Sequence, residues 1–428
     1  MSDIRFNRWL HQSGTGGVYQ DSAGNIGIGT SVPTTALDVQ GGNLKIGSNT
    51  LSSSGVSTFT TINATTVSAT SLVGVSTAGI TTAYITSINN GPISGSRNRI
   101  INGDMRIDQR NGGASVTANA GTAFSCDRWR SYLNGTGTLT FTQSSVVPNG
   151  NFTNSILITV TGTGSPTESA CSQTIEGFNI SDFGFGTANA IPLTASFWVR
   201  SSVTGTYFFS LRQGSGSRSF VSPFTISTAN TWQQVTVSIP GDTSGTYNTT
   251  NGAGFIFQIC VGATSLQTST INAWQSGNYV CTSAQTNLAS TNGATFYITG
   301  VQLEPGTVAT PFERRSYGDE LQKCLRYFQK SYNATDVPGT ATSNGTEWLT
   351  LPTSGRIAMT TRLRVPMRAN CTVKLYDWAG NIDRVRTSGG NNQTTFTIQV
   401  ANETAFTVDT TSTSVTELLY QYTATAEL

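Results

Sequence analysis

The chain is poor in charge. Only 11% of its 428 residues are Asp, Glu, Lys or Arg, against about 25% in ordinary globular chains, and Lys is scarce. A formal net charge of +2 supplies no field for nucleic acid or an anionic membrane. No nucleic-acid partner is therefore expected. Histidine occurs once, at His11, so a His-rich metal site is excluded, and so is any Ser/His/Asp set away from that position. The six cysteines (Cys126, Cys171, Cys260, Cys281, Cys324, Cys371) stand 21 or more residues apart with no C-x-x-C. That spacing argues against zinc and thioredoxin-like chemistry. No apolar run reaches the ~18 residues that would span a bilayer. The opening MSDIRFNRWLHQ lacks the apolar core of a secretory signal. Reduced thiols in a protein assembled in a cytoplasm are the expectation. Gly214-Ser215-Gly216-Ser217-Arg218 is glycine-rich, but it lacks the Lys-Ser/Thr ending and following helix of a phosphate loop. No cofactor and no metal are expected.

What is abundant is glycine, at 45 residues, together with Thr and Ser. Such a polar, neutral composition suits many short strands joined by tight turns, including fibrous β structure. Trp and Phe are too frequent from about residue 100 onward for a disordered chain. The length allows two or three domains of about 100–200 residues each.

The most informative stretch is Phe296 to Gln329, FYITGVQLEPGTVATPFERRSYGDELQKCLRYFQ. Tyr297, Thr299, Val301 and Leu303 alternate with Phe296, Ile298, Gly300 and Gln302, the period of a strand. Pro305-Gly306 punctuates it. Ser316 then reads as a helix N-cap, with Asp319 three residues on and Glu320 in the positive first turn. Leu321, Cys324, Leu325 and Phe328 fall at i, i+3, i+4 and i+7, one apolar stripe on a helix of about four turns. With β-rich sequence on both sides, the stretch reads as a hinge between two domains. Within it, GVQLEPGTVATPFERR followed by CLRYF resembles the segment that closes a β-sandwich in tail-fibre proteins of tailed phages. There a "QLE-x-G-x-x-ATPFE-x-R" run precedes a "C-x-RYF/Y" helix. The resemblance implies host recognition by a virion fibre.

Three further stretches carry the same resemblance. GNIGIGTSVPTTALDVQGGNLKIG (24–47) is similar to a motif repeated in phage fibre and adhesin stalks. Physically it is two short strands, Ile26/Ile28 and Leu37/Val39, with Pro33 between them, too little to fold alone. RNRIINGDMRIDQRNG (97–112) and Cys126-Asp127-Arg128-Trp129 resemble the opening of the sandwich module. RLRVPMRANCTVKLYD and the terminal YTATAEL resemble the C-terminal block that follows it in tail fibres. Between these, residues 48–96 repeat Gly55-Val56-Ser57-Thr58 as Gly74-Val75-Ser76-Thr77. Apolar residues five apart (Ile62, Val67, Leu72; Ile80, Ile85) fit a strand-and-turn shaft shared by identical chains, with a flexible Ser/Thr linker as the alternative.

Period-2 runs at Ser155–Val160, Leu193–Arg200, Thr206–Arg212, Trp232–Ile239 and Gly254–Val261 bring the strands of the middle region to about eight. Such a set makes a jelly-roll sandwich similar to non-catalytic carbohydrate-binding modules. Trp129, Trp198 and Trp232 are expected in its core. Beyond residue 331, six short strands are expected, among them Trp348–Leu351, Cys371–Tyr376 and Leu418–Ala424. The expected fold class is mostly β. An attachment segment (1–23) precedes a β shaft (24–96), a jelly-roll sandwich (97–313), a connecting helix (314–330) and a small C-terminal β block (331–428), assembled as a homotrimer.

Glycan binding needs an aromatic face for the apolar side of a sugar and polar groups for its hydroxyls, and loops at the ends of strands gather them. The candidates are Tyr376, Trp378, Asn381, Arg384 and Arg386 within LYDWAGNIDRVR, then Trp274, Asn278 and Tyr279 within AWQSGNYV. Phe6, Trp9 and His11 are the candidates for attachment to a phage tail or baseplate protein. A hydrolase would need paired carboxylates in a groove. Asp104, Asp108 and Asp127 cluster in sequence but fall where the resemblance implies a structural role, so no enzyme activity is expected. The function implied is recognition of a host-surface glycan or outer-membrane receptor, with the protein in the virion tail. The alternatives are a purely structural virion fibre or baseplate spike, and a glycan-cleaving tailspike, which would need the coil repeats of a long β-helix.

Overall fold

In the computed structural model, the described residues are 8–10, 17–34, 36–39, 44–46, 49–51, 97–118, 121–411 and 414–428. The chain divides into two compact units, Met1–Ala83 and Tyr84–Leu428. Phe6, His11 and the repeats of 52–96 lie outside the described residues, as does the side chain of Trp9.

The first unit is a small sheet. β1 (Arg8–Leu10), β2 (Gly17–Gln20) and β3 (Ile26–Ile28) pair antiparallel in turn. β4 (Leu37–Val39) then pairs parallel to β3, Ile26 opposite Leu37 and Ile28 opposite Val39. A hairpin of β5 (Leu44–Ile46) and β6 (Asn49–Leu51) follows. Both predicted strands are present. In a single chain the sheet leaves Val18, Ile28, Val32 and Leu37 exposed.

The second unit opens with a two-sheet antiparallel β-sandwich. Its strands are β7 (Val116–Ala118), β8 (Gly121–Cys126), β9 (Trp129–Gly135), β10 (Thr138–Ser144), β11 (Ser155–Gly162), β12 (Pro166–Glu176), β13 (Leu193–Ser201), β14 (Gly205–Gln213), β15 (Arg218–Ile226), β16 (Gln233–Ile239), β17 (Ala253–Gly262), β18 (Trp274–Ser276) and β19 (Thr295–Pro305). One sheet runs β16-β13-β19-β11-β10-β7, the other β18-β15-β14-β17-β12-β9-β8. Alternation decides which side chains meet between them. Val235, Val237 and Ile239 are buried while Gln234, Thr236 and Ser238 are exposed. Phe197 of one sheet meets Phe209 and Phe257 of the other at 6.0 and 6.2 Å, and Trp129 packs edge-on against Phe257.

Two tryptophans depart from the expected core. Trp198 alternates with the inward-facing Phe197 and Val199, so it points outward and is half-buried. Trp232 precedes β16 and rests, half-buried, on Tyr297 at 5.9 Å. β19 also breaks the simple alternation. Gly300 adopts φ +61°, and the register with β13 shifts there, Ser196 facing Gln302 but Trp198 facing Thr299. This is a β-bulge built on a left-handed glycine. It reverses the strand's faces, so Phe296 and Ile298 before it and Val301 and Leu303 after it all enter the core.

The helix α1 spans Tyr317–Leu325, with Ser316 Oγ accepting from the Asp319 amide at 3.2 Å and donating to Asp319 Oδ2 at 2.7 Å. It is shorter than the apolar stripe implied. Phe328 belongs to β20 (Phe328–Lys330), whose backbone pairs with Thr423–Thr425, and that pairing ends the helix. The C-terminal block adds β21 (Glu347–Gly355), β22 (Ala358–Arg362), β23 (Thr372–Tyr376), β24 (Val385–Thr387), β25 (Gly390–Gln393), β26 (Phe396–Gln399), β27 (Ala405–Thr410) and β28 (Val415–Thr425). β28 is its axis, flanked by β21 and β24 in its first half and by β20 and β23 in its second.

Sandwich, helix and C-terminal block are tied together through residues 97–110, which form no strand or helix although most are buried. Their backbone is satisfied by side chains. Asn98 Oδ1 accepts from the Ile100 and Leu303 amides. Asn102 Nδ2 donates to the Ile107 and Asp127 carbonyls. Gln173 brackets Ile101, and Glu320 of the helix takes the Asn102 amide while pairing with Arg315. The polar residues of the QLE…ATPFE run have matching local roles. Glu304 accepts from the Thr310 amide and hydroxyl and from Gln302, and Glu313 takes the Asn98 amide. Glu427, near the chain's end, pairs with Arg110 and Arg128 of the sandwich side, and Arg326 grips Glu176 with two hydrogen bonds.

The clustered aspartates serve this framework. Asp104 pairs with Arg106, and Asp108 accepts from the amides of Arg110, Asn111 and Gly113. Asp127 accepts from Gln109. Burial pushes the Asp127 carboxyl from 3.8 up to about 6, against the pull of Arg110 and the Gln109 bonds. The native state thus takes up this proton at higher pH than the unfolded chain. The stability it contributes is complete below 3.8 and is lost as pH rises through about 6. The unfolding free energy of the wild type minus that of Asp127→Asn is expected to grow as pH falls from above 6 to 3.8. Denaturant melts of both proteins across that range check it; a constant difference would contradict the assignment.

Candidate functional site

The predicted loop LYDWAGNIDRVR joins β23 to β24 and is shaped by one buried carboxylate. Asp377 is fully buried. Its Oδ1 accepts from the amides of Ala379 (2.9 Å) and Asn381 (3.0 Å), and its Oδ2 from the Asn381 side chain (2.9 Å) and the Asn392 amide (2.6 Å). A carboxylate receiving several N–H groups is a strong local organiser. It fixes the turn that presents Trp378 and ties it to the neighbouring β24–β25 hairpin.

Trp378 is half-buried, and its indole N–H donates to Thr346 Oγ1 at 2.9 Å. It meets Trp348 of β21 edge to face, centroids 6.5 Å apart and planes at 90°. The Arg386 guanidinium lies over the Trp378 ring at 4.7 Å, a cation–π contact that orients both groups. The sheet explains the meeting. Leu419 of β28 pairs with Trp348 on one side and Arg386 on the other, so both project from the same face of the sheet, and Leu419 itself is fully buried. Trp348 is 59% exposed and Ile382 is 47% exposed. Arg384 borders the loop, donating from Nε to Asn392 Oδ1 at 2.9 Å. The result is an open platform of two perpendicular indoles and a guanidinium, with amides nearby. Such a surface can stack on the apolar face of a pyranose and hydrogen-bond its hydroxyls.

The other predicted residues have different positions. Tyr376 is 8% exposed and packs edge-on against Tyr332 at 5.8 Å; its ring is interior. Asn381 spends its amide groups on Asp377, so it shapes the loop. Trp274 closes the end of the sandwich core against Phe185 (5.6 Å) and Phe220 (5.9 Å), its N–H donating to the Pro240 carbonyl. Asn278 accepts from Arg212 at 2.7 Å, within a network in which Gln258 bonds to both Arg212 and Glu168. Tyr279 lies partly buried on a small apolar cluster that includes Phe208, Val221 and Cys281. The structure therefore gathers Trp378, Arg384 and Arg386, and separates them from Trp274, Asn278 and Tyr279. It adds Trp348, which the sequence reading assigned only to a strand. Its signal was the alternation Glu347-Trp348-Leu349-Thr350-Leu351, in which inward leucines place the indole outward. All six cysteines are free and buried.

No protein-family model matches the chain, and neither does any curated protein. Solved structures do. The chain is similar to the enzymatically active domain of tailspike protein 4 of bacteriophage CBA120, with 17% identity over 52% of this chain and 24% of that one, TM-score 0.27. It is also similar to a family 11 carbohydrate-binding module of Clostridium thermocellum solved with a mixed-linked tetrasaccharide, with 12% identity over 46% of this chain and 98% of that one, TM-score 0.24. A third is the tandem family 22 module pair from Paenibacillus barcinonensis, with 8% identity over 74% of this chain and 91% of that one, TM-score 0.24.

Removing the Asp377 carboxylate leaves its donors in the loop without an acceptor, at a cost of about 1.5–3 kcal/mol or more. Asp377→Ala is expected to lower the unfolding midpoint. It should also make the amides of Ala379, Asn381 and Asn392 exchange rapidly with solvent, while those of β28 stay protected. Hydrogen exchange read by mass spectrometry or NMR decides it; unchanged protection of those three amides would contradict the role given to Asp377.

Proposed function

We propose that this chain is a phage tail-fibre protein that recognises a host-cell surface, binding glycan through the Trp348–Trp378–Arg386 platform. The observation that carries this reading is the exposed Trp348 set edge to face on Trp378. A soluble β-protein gains nothing in folding from leaving a large indole 59% exposed. Indole faces rimmed by Arg384, Arg386 and Asn392 match a sugar's alternating apolar and hydroxylated surfaces. The sequence resemblance of residues 97–112 and 296–328 to tail-fibre modules supports the setting. The N-terminal segment with Phe6, Trp9 and His11 serves as the attachment to a tail or baseplate protein. The protein acts by binding, without catalysis, after assembly in the host cytoplasm.

The assembly is a homotrimer. Val18, Ile28, Val32 and Leu37 are exposed in one chain, and a second and third copy would cover them. Each platform is shallow, so single contacts are weak; three on one fibre can raise avidity about 10²–10⁴-fold.

The test uses the labelled full-length chain on a panel of bacterial lipopolysaccharides and capsular polysaccharides. At least one is expected to bind. Trp348→Ala should weaken that binding about tenfold or more with an unchanged unfolding midpoint. Absence of binding to every polysaccharide, or wild-type binding by both Trp348→Ala and Trp378→Ala, would refute the reading. Light scattering should return three times the chain mass of 45.2 kDa; a mass of one chain would remove the trimer.

A further inference from the structure

The outer face of the six-stranded sheet carries a cleft of about 270 Å³ around the Gly300 bulge. The cleft exists because Gly300 has no side chain. A Cβ there would lie 2.7 Å from Phe152 Cζ and 3.0 Å from Trp198 Cδ1. Phe152 and Phe312 meet edge to face at 5.4 Å and give it an apolar wall. Trp198 contributes an outward-facing indole. Among the described residues its N–H has no acceptor, as is also the case for Trp232 and Trp348. The amides of Asn151 and Gln234 reach the rim.

Charge decides what such a cleft would take. Arg314 lies over Phe152 at 5.1 Å and over Phe312 at 5.9 Å. Among the described residues its guanidinium enters no ion pair. The carboxylates near it in the chain and in space are engaged elsewhere, Glu313 with Arg315 and Asp104 with Arg106. No acidic side chain lines the cleft. Two aromatic faces thus hold a guanidinium whose donors remain available beside a sugar-sized hollow. A planar guanidinium recognises a carboxylate by two parallel hydrogen bonds. The volume suits one sugar ring and falls below the ~300–1,000 Å³ of sites for larger ligands.

We propose that this cleft is a saccharide subsite for a single carboxylate-bearing pyranose, of the uronic or sialic acid class. Arg314 takes the carboxylate, Trp198 offers its ring and N–H, and the amides take hydroxyls. The site is separate from the Trp348 platform and does not depend on it.

The full chain is titrated with free glucuronate, with N-acetylneuraminate and with glucose as the neutral comparator, followed by calorimetry. At least one acid should bind saturably in the millimolar range, about tenfold or more tighter than glucose. Arg314→Gln should abolish that preference, Arg314→Lys should keep part of it, and Trp348→Ala should leave it intact. Arg314 is exposed, so its variants fold, which the unfolding midpoint checks. Equal affinity for glucose and the acids, no saturable binding of either acid, or wild-type binding by Arg314→Gln overturns the proposal. Loss of acid binding in Trp348→Ala with Arg314→Gln unaffected also overturns it, and assigns the sugar to the C-terminal block.

Discussion

A stretch of buried backbone without regular structure holds the larger unit together. Residues 97–110 thread between sandwich, helix and C-terminal block, where their amides and carbonyls are shut off from water. Each unmade bond there would cost about 1–3 kcal/mol. Asn98, Asn102, Gln173 and Glu320 meet that demand from three different parts of the chain. The Arg110 and Arg128 pairs to Glu427 and the Arg326 pair to Glu176 then fasten the C-terminal residues and the helix end onto the same region. A buried pair of this kind adds little net stability but makes a misplaced partner costly. The helix and the blocks beside it belong to one compact unit, Tyr84–Leu428.

That unit offers two outward aromatic surfaces, and both follow from the two-residue period of strands. Trp348 stands between Glu347 and the inward-facing Leu349, and Trp198 between Phe197 and Val199. On a strand, a residue next to a core residue has to face away from it. The strand under Trp348 and the Asp377-held turn under Trp378 then set the spacing of the two rings at 6.5 Å. Neither surface is deep. Shallow sites gain from several copies engaging at once, which is what the proposed trimer would supply.

Much of the fold was legible because it depends on local patterns. Val235, Val237 and Ile239 alternate with polar residues, and Ser316 with Asp319 announces a helix start. Where non-local pairing competes with a local pattern, the reading failed. Phe328 continues the helical stripe in sequence, yet its backbone is taken by Thr425. Val301 and Leu303 alternate in step with Tyr297, yet the Gly300 bulge turns them to the opposite face. Of the candidate site, the loop and its Trp378 and Arg386 were visible as an aromatic and cations beside a Gly-Asn turn. Trp348 was hidden, because it reaches them only through β28, some 70 residues away in sequence as β strands pair non-locally.

The sequence by itself determined the β-rich class, the position of the one α-helix among the described residues and the strands that alternate cleanly, since each rests on propensity and period within a short window. Tertiary structure decided which aromatics are buried and which are offered to solvent. Tyr376 is as aromatic as Trp348, but exposure is a property of what packs against a side chain. In a sandwich of paired strands, most of those neighbours come from far along the chain.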